Sequence, residues 1–279
     1  MLAPKVAPIG GSADNPAMNR LLLAAAALAL ASCASQPGVA PSLRSEFAPS
    51  GTLRVGVNFG NPVIAQKDPA GGAPRGVGPS LARELARRLG VPVTYVTFDS
   101  AGRMADAVKR NEWDIAFLAV DPKRANEIDF SAPYVQIEGT YMVRRDSPLK
   151  TIADVDRDGV RVAVGDKSAY DLYLTRELKR ATIVRTPTSS GAIDMFLAQK
   201  LEAVAGVKNP LVDAASRDPS LRVMDGSFMV IGQASGVPRG RPNAAAYLRS
   251  FIEDAKASGF VANALRESGA QATVAPPAR

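Results

Sequence analysis

The sequence predicts an α/β fold of two similar lobes, each built from a mostly parallel sheet flanked by helices. From Leu53 onwards, short β-branched runs alternate with segments of helical periodicity, which is the pattern of α/β proteins. Strand segments such as "WDIAFLAV" are apolar on both faces, as expected for parallel strands covered by helices on both sides. The second half of the chain repeats the order of strands and helices found in the first half.

In the first half, strands and helices alternate along the chain. The strands are "LRVGV", "VPVTYVTF" and "WDIAFLAV", and the helices are "PSLARELARRLG" and "GRMADAVKR". Leu81, Leu85 and Leu89 recur at helical spacing, and Gly90 is a typical signal for the end of a helix.

The second half follows the same plan and ends in two further helices. Its strands are "VRVAV", "ATIVR" and "LEAVAGV", and its helices run through "AYDLYLTRELKR" and "SSGAIDMFLAQK". In the first of the final helices, "NAAAYLRSFIEDAKASG", the apolar residues Leu248, Phe251 and Ile252 share one face. A shorter helix, "FVANALRESG", is predicted to close the fold.

The composition narrows the classes of function. The chain has 279 residues, of which 46% are hydrophobic and 22% charged, which is the profile of a globular protein. It contains no histidine, and Cys33 is the only cysteine, so Ser-His-Asp and Cys-His catalytic pairs and His/Cys zinc sites are excluded. The net charge of +7 comes from scattered cations with few aromatic residues between them, a pattern that does not favour nucleic-acid binding. We therefore expect no nucleic-acid partner, no metal and no cofactor.

The N-terminal segment has the pattern of an export signal. Arg20 is followed by eleven apolar residues, 21–31, and then by the small residues of "SCAS". This apolar run is too short for a membrane span, which needs about 20 residues. The residues "LASC" resemble the lipobox of bacterial lipoproteins, so we expect residues 1–33 to be signal and lipobox, with a lipidated Cys33 as the first mature residue. An ordinary signal peptide with a chance cysteine is the alternative. Residues 34–50, rich in Pro, Ser and Ala, predict a flexible tether.

The segments that follow the strands are the candidates for a binding site. In open α/β sheets, ligands bind beyond the carboxyl ends of the strands, and two facing lobes form a cleft between them. This rule selects residues 58–62, 121–124, 165–169 and 207–210.

Three stretches carry a resemblance to a known family. "GTLRVGV", "DPKRANEIDFSAPY" and "DVDRDGVRVAVGDKSAYDLYL", in this order and spacing, resemble the bacterial extracellular solute-binding proteins of family 3, the periplasmic amino-acid-binding type. The resemblance implies the type II periplasmic binding protein fold, with two crossing strands near residues 137–141 and 229–234. Lobe 1 would then comprise residues 51–139 and 234–279, and lobe 2 residues 140–233.

The resemblance also implies a function. It predicts a periplasmic protein, anchored to a membrane through Cys33, that captures a small carboxylate-bearing solute such as an amino acid and delivers it to an inner-membrane ABC permease. The protein would be a monomer without catalytic activity. Two alternatives remain open: a dehydratase-like enzyme on the same fold, and a lipoprotein that senses a ligand without transporting it.

Two residues match positions that contact the ligand in this family. Arg124 matches the arginine that holds an α-carboxylate; Asp121 and Pro122 suit the start of a helix that would direct its planar donor into the cleft. A solvated arginine at a helix end is the alternative. Ser168 lies on the turn after "VRVAV", where backbone N–H groups and a hydroxyl can hold an anion, although it can equally be a helix N-cap.

Other candidate positions depart from the family pattern. Asn58 and Asn61 stand where an acidic residue and an aromatic residue often line the pocket, and either asparagine can instead be a turn former. Lys208 stands in or near the position of the aspartate that usually holds the α-ammonium group. Lys208 would attract a second anion or remain solvated. Glu138, beside the first crossing, is the candidate for a replacement carboxylate or a hydrogen-bonding residue near the hinge.

Overall fold

The computed structural model describes residues 40–278 of the protein. The predicted export signal, the lipobox and Cys33 lie outside these described residues. Within residues 40–278, no helix combines the length and the apolarity that a membrane span needs.

The helices and strands of the first half follow the predicted alternation. The strands are β1 (Leu53–Asn58), β2 (Val93–Phe98), β3 (Ile115–Ala119) and β4 (Ile128–Phe130). The helices are α1 (Pro41–Phe47), α2 (Val77–Leu89) and α3 (Ala101–Asp106). Gly90 ends α2 in the left-handed conformation, with a φ of 66°, which a residue without a side chain adopts at low cost.

The second half has the same alternation, with two long strands added. The strands are β5 (Val135–Arg144), β6 (Arg161–Gly165), β7 (Thr182–Thr186), β8 (Ala203–Val207), β9 (Leu221–Val223), β10 (Met229–Pro238) and β11 (Thr273–Val274). The helices are α4 (Ala169–Glu177), α5 (Ser189–Ala198), α6 (Lys208–Arg217), α7 (Pro242–Ala257) and α8 (Phe260–Glu267).

The sheet consists of two parallel parts joined by antiparallel strands. Its order is β2-β1-β3-β10-β5-β8-β6-β7, with β1 parallel to β2 and β3, and β6 parallel to β7 and β8. Between these parts, β10 and β5 pair antiparallel with each other, β10 also with β3, and β5 also with β8. These ten-residue strands contain the two predicted crossing segments, and the predicted two-lobed fold is confirmed.

The core lies between the sheet and the apolar faces that the sequence predicts. Leu81, Leu85 and Leu89 of α2 are fully buried, and so is Leu248 of α7. Burying a side chain of this kind stabilises the fold by about 1.5–3 kcal/mol. The helices thus bury the apolar faces that the sequence predicts.

The tether predicted for residues 34–50 is wrong for its second half, because residues 41–47 form helix α1. Phe47 is fully buried and packs edge to face against Tyr247 of α7, with ring centroids 6.0 Å apart. The Glu46 carboxylate accepts hydrogen bonds from the Asn243 side chain and from the Ala244 N–H group. Composition alone suggested flexibility, but Pro41 occupies the first turn, where proline is tolerated, and Phe47 and Glu46 attach the segment to α7.

Candidate functional site

A cavity of about 40 Å³ lies between the two parts of the sheet, at the carboxyl ends of β1, β3, β6 and β8. Its lining includes the polar side chains of Asn58, Asn61, Arg124, Ser168, Ser189 and Gln233. The structure therefore brings four of the six predicted binding residues, Asn58, Asn61, Arg124 and Ser168, to one place.

Arg124 begins a short 3₁₀ turn, Arg124–Asn126, that follows β3. The Asp121 carboxylate accepts a hydrogen bond from the Lys123 N–H group at 2.8 Å, and the Asp121 carbonyl accepts from the Ala125 N–H group at 3.0 Å. Asp121 thus shapes a tight turn instead of the predicted helix, and this turn directs the arginine side chain inwards.

The guanidinium group of Arg124 is buried and only partly satisfied. Its Nη1 donates to the carbonyl of Ala119 and its Nη2 to the carbonyl of Lys167, each at 2.9 Å. The Nε atom is buried and has no hydrogen-bond partner among the described residues. Burial lowers the pKa of Arg124 to about 10, against the opposing effects of the Asp121 and Asp106 carboxylates. Arg124 therefore remains a cation at neutral pH.

Ser168 and the start of α4 form the facing wall of the cavity. The Ser168 hydroxyl accepts a hydrogen bond from the Asp171 N–H group at 3.1 Å, so Ser168 is the N-cap of α4. Ala169 and Tyr170, in the first turn, also line the cavity. The N–H groups of a first helical turn have no partners within the helix, and they favour an anion.

The two asparagines occupy the turn after β1. Asn58 acts as a turn former, because its Oδ1 atom accepts from the Gly60 N–H group at 2.9 Å. Asn61 differs, since its Oδ1 atom is buried and has no hydrogen-bond partner among the described residues. Asn61 and Arg124 therefore both line the cavity, and each has one buried polar atom without a hydrogen-bond partner among the described residues.

Sequence reasoning missed Gln233, Ser189 and Tyr170. Gln233 is buried on the crossing strand β10, whose sequence does not indicate which side chains face the cleft. Ser189 begins α5, just beyond the carboxyl end of β7, so the strand-end rule could have found it. Its hydroxyl accepts from the Tyr170 hydroxyl at 2.8 Å, and burial raises the pKa of Tyr170. Within residues 40–278, no three His, Cys, Asp or Glu side chains are grouped to hold a metal ion.

Direct contacts close the cleft around this cavity. The Lys167 ammonium lies 2.6 Å from the Asp106 carboxylate, and Arg176 lies 3.1 Å from Asp121. A Cβ atom on Gly102 would come within 2.7 Å of the Lys167 Cβ. A ligand enters this cavity when these contacts open, and a few hinge residues are enough for such a motion.

A family model matches most of the chain. The model of the bacterial extracellular solute-binding proteins, family 3, matches residues 53–267. The chain belongs to this family.

Individual relatives of this family 3 protein are distant. It is 23% identical over 185 residues to the glutamine-binding protein of Geobacillus stearothermophilus. The matched region covers 64% of this chain and 69% of that protein. It is also similar to the solute receptor for L-cysteine of Neisseria gonorrhoeae, with a TM-score of 0.70, 20% identity, and coverage of 81% and 92% of the two chains. An ancestral amino acid-binding protein, described as a precursor of cyclohexadienyl dehydratase, has a TM-score of 0.67 and 23% identity over 80% of this chain and 98% of its own. These structural likenesses establish the type II binding-protein fold.

Glu138 and Lys208 lie outside the cavity of this family 3 protein. The Lys208 ammonium is 2.6 Å from the Glu138 carboxylate, and the two side chains are 39% and 45% exposed. They meet because β5 and β8 are antiparallel and Gly139 pairs with Val207. Glu138, just before Gly139, therefore lies beside Lys208, just after Val207. Their positions do not support the prediction that either side chain contacts a ligand held by Arg124.

Proposed function

We propose that the protein is a lipid-anchored periplasmic binding protein that captures a small carboxylate-bearing solute in the cavity and delivers it to an ABC importer. The observation that carries this proposal is the buried Arg124 cation, whose side chain lines the cavity together with Ser168 and the start of α4 and whose Nε atom has no hydrogen-bond partner among the described residues. The names of similar proteins, which refer to glutamine and L-cysteine, support a solute of amino-acid size.

The energetics favour a carboxylate at Arg124. The described contacts of its guanidinium are with neutral carbonyl groups, which satisfy hydrogen bonds without balancing the charge. A carboxylate would balance the charge and form charge-assisted hydrogen bonds, which are about twice as strong as neutral ones. Ser168 and the first turn of α4 would add donors from the facing wall.

A panel of small carboxylates tests this proposal in a thermal unfolding assay. A ligand present at 100 times its Kd should add about 2.7 kcal/mol to the free energy of unfolding, because it binds the folded state alone. Amino acids, hydroxy acids and other organic acids form the panel, and their primary amides, which lack the carboxylate charge, are the matched controls. The absence of stabilisation by every acid, or equal stabilisation by the amides, would contradict carboxylate capture.

The membrane anchor rests on the sequence around Cys33. We expect Cys33→Ala to move the protein from the membrane fraction to the soluble fraction of the cell envelope, because the substitution removes the acylation site. Ser35→Ala, two residues away, should leave the protein with the membranes. Continued membrane association of Cys33→Ala would contradict the anchor.

Binding without turnover is part of the proposal. Arg124 lines the cavity, but the described lining residues include no Asp or Glu that could serve as a general acid for a dehydratase. The protein is proposed to act as a monomer, which presents one cleft to the permease.

A further inference from the structure

The lining of the cavity contains one ionised side chain, and it is positive. Arg124 is the only Lys, Arg, Asp or Glu among the described lining residues. The carboxylates that act on it electrostatically, Asp106 and Asp121, are already paired with Lys167 and Arg176 in the contacts that close the cleft. A ligand in the closed cavity therefore meets a positive charge and no unpaired negative charge.

An α-ammonium group has no counter-ion in this arrangement. Burying an ammonium is costly unless a carboxylate and additional hydrogen bonds compensate for the lost hydration. Glu138, the carboxylate predicted to serve this purpose, is paired with Lys208 outside the cavity. The remaining polar side chains of the lining are amides and hydroxyls, which are neutral.

Two side chains that line the cavity, Arg124 and Asn61, each have one buried polar atom without a hydrogen-bond partner among the described residues. The Nε atom of Arg124 is a charged donor that lacks an acceptor, and the Oδ1 atom of Asn61 is a neutral acceptor that lacks a donor. Leaving a buried polar atom unsatisfied is unfavourable, so the ligand that satisfies both atoms binds best. Such a ligand combines a carboxylate with an uncharged O–H or N–H group.

We propose that the ligand is a small carboxylate that carries a neutral hydrogen-bond donor next to the carboxylate, as in a 2-hydroxy acid, and is not a zwitterionic α-amino acid. The inference rests on the proposed function, because it takes carboxylate binding at Arg124 as given. A 2-oxo acid carries the same charge as the hydroxy acid but lacks the donor, so it would leave Asn61 Oδ1 unsatisfied.

Isothermal titration with side-chain-matched triplets tests the inference. Each triplet contains an amino acid and its 2-hydroxy and 2-oxo counterparts: alanine, lactate and pyruvate; leucine, 2-hydroxy-4-methylpentanoate and 4-methyl-2-oxopentanoate; glutamate, 2-hydroxyglutarate and 2-oxoglutarate. In each triplet that binds, the hydroxy acid should bind at least about tenfold more tightly than the amino acid and the oxo acid. An amino acid that binds as tightly as its hydroxy acid, or more tightly, would overturn the inference and leave the proposed function standing. If no member of any triplet binds, the inference fails, and the proposed function fails as well if no acid of the thermal panel stabilises the protein.

Variants of Asn61 give the test a second readout. Asn61→Asp places a carboxylate in the cavity, so the ratio of amino-acid to hydroxy-acid affinity should rise at least about tenfold. Asn61→Ala should remove the preference for the hydroxy acid over the oxo acid, because the acceptor is gone. Asn209→Asp is the matched control: Asn209 lies in the first turn of α6, outside the cavity, and its substitution should leave both ratios unchanged. Ratios in Asn61→Asp and Asn61→Ala equal to those of the wild type would overturn the assignment of Asn61.

Discussion

Replacing Arg124 by alanine should weaken the binding of a carboxylate ligand by at least about tenfold, because hydrogen bonds to a charged group contribute about 1.5–3 kcal/mol. The side chain is 6% exposed, so water does not replace the lost contacts as it would at the surface. Isothermal titration at neutral pH measures the change, with the tightest acid of the panel as ligand.

Two further substitutions separate charge from geometry. Arg124→Lys keeps the charge but loses the planar, two-pronged donor, so we expect an affinity between those of Arg124→Ala and the wild type. Arg103→Ala removes an exposed arginine that pairs with Asp99 outside the cavity, and it should leave the affinity unchanged. An unchanged Kd in Arg124→Ala would remove Arg124 from the site.

Replacing Asp114 by alanine should cost about 3–5 kcal/mol of the free energy of unfolding, because it breaks a buried ion pair and leaves charges uncompensated. The Asp114 side chain is fully buried and lies 2.9 Å from the Arg54 guanidinium and 3.1 Å from that of Arg241. It also accepts a hydrogen bond from the Arg54 backbone N–H group at 3.1 Å. Since both arginines keep some exposure to solvent, we expect a value near the lower end of the range. Urea denaturation measures the loss.

An exposed aspartate gives the matched control for Asp114. Asp158 pairs with Arg180 at 2.6 Å, but its side chain is 78% exposed, and an exposed pair contributes about 0–1 kcal/mol. Asp158→Ala should therefore shift the urea midpoint little. If Asp114→Ala and Asp158→Ala shift the urea midpoint equally, the pairing of Asp114 with Arg54 and Arg241 does not stabilise the fold more than an exposed ion pair does.

Local patterns were sufficient to predict much of the fold and part of the site. The spacing of Leu81, Leu85 and Leu89 predicts a helix that buries one face, and α2 buries all three residues. The carboxyl ends of the parallel strands within each lobe lie at one edge of the sheet, and these edges of the two lobes face each other. The segments of Asn61 and Ser168 therefore meet, although they are far apart in the chain.

Features that depend on strand register could not be predicted in this way. The pairing of Glu138 with Lys208 follows from the alignment of β5 with β8, which the sequence does not reveal. Gln233 lines the cavity because its side of β10 faces the cleft. The alternation of residues along β10 does not show which side faces the cleft and which faces the core. The unsatisfied atoms of Arg124 and Asn61 become visible only when the distances of the folded chain are known.

The most direct measurement of carboxylate capture is native mass spectrometry of the protein purified without denaturation. We expect the wild-type protein to carry a small organic acid that dissociates on denaturation, and the Arg124→Ala variant to lack it. A bound molecule without a carboxylate, or equal occupancy in the wild type and in Arg124→Ala, would contradict the capture of a carboxylate by Arg124.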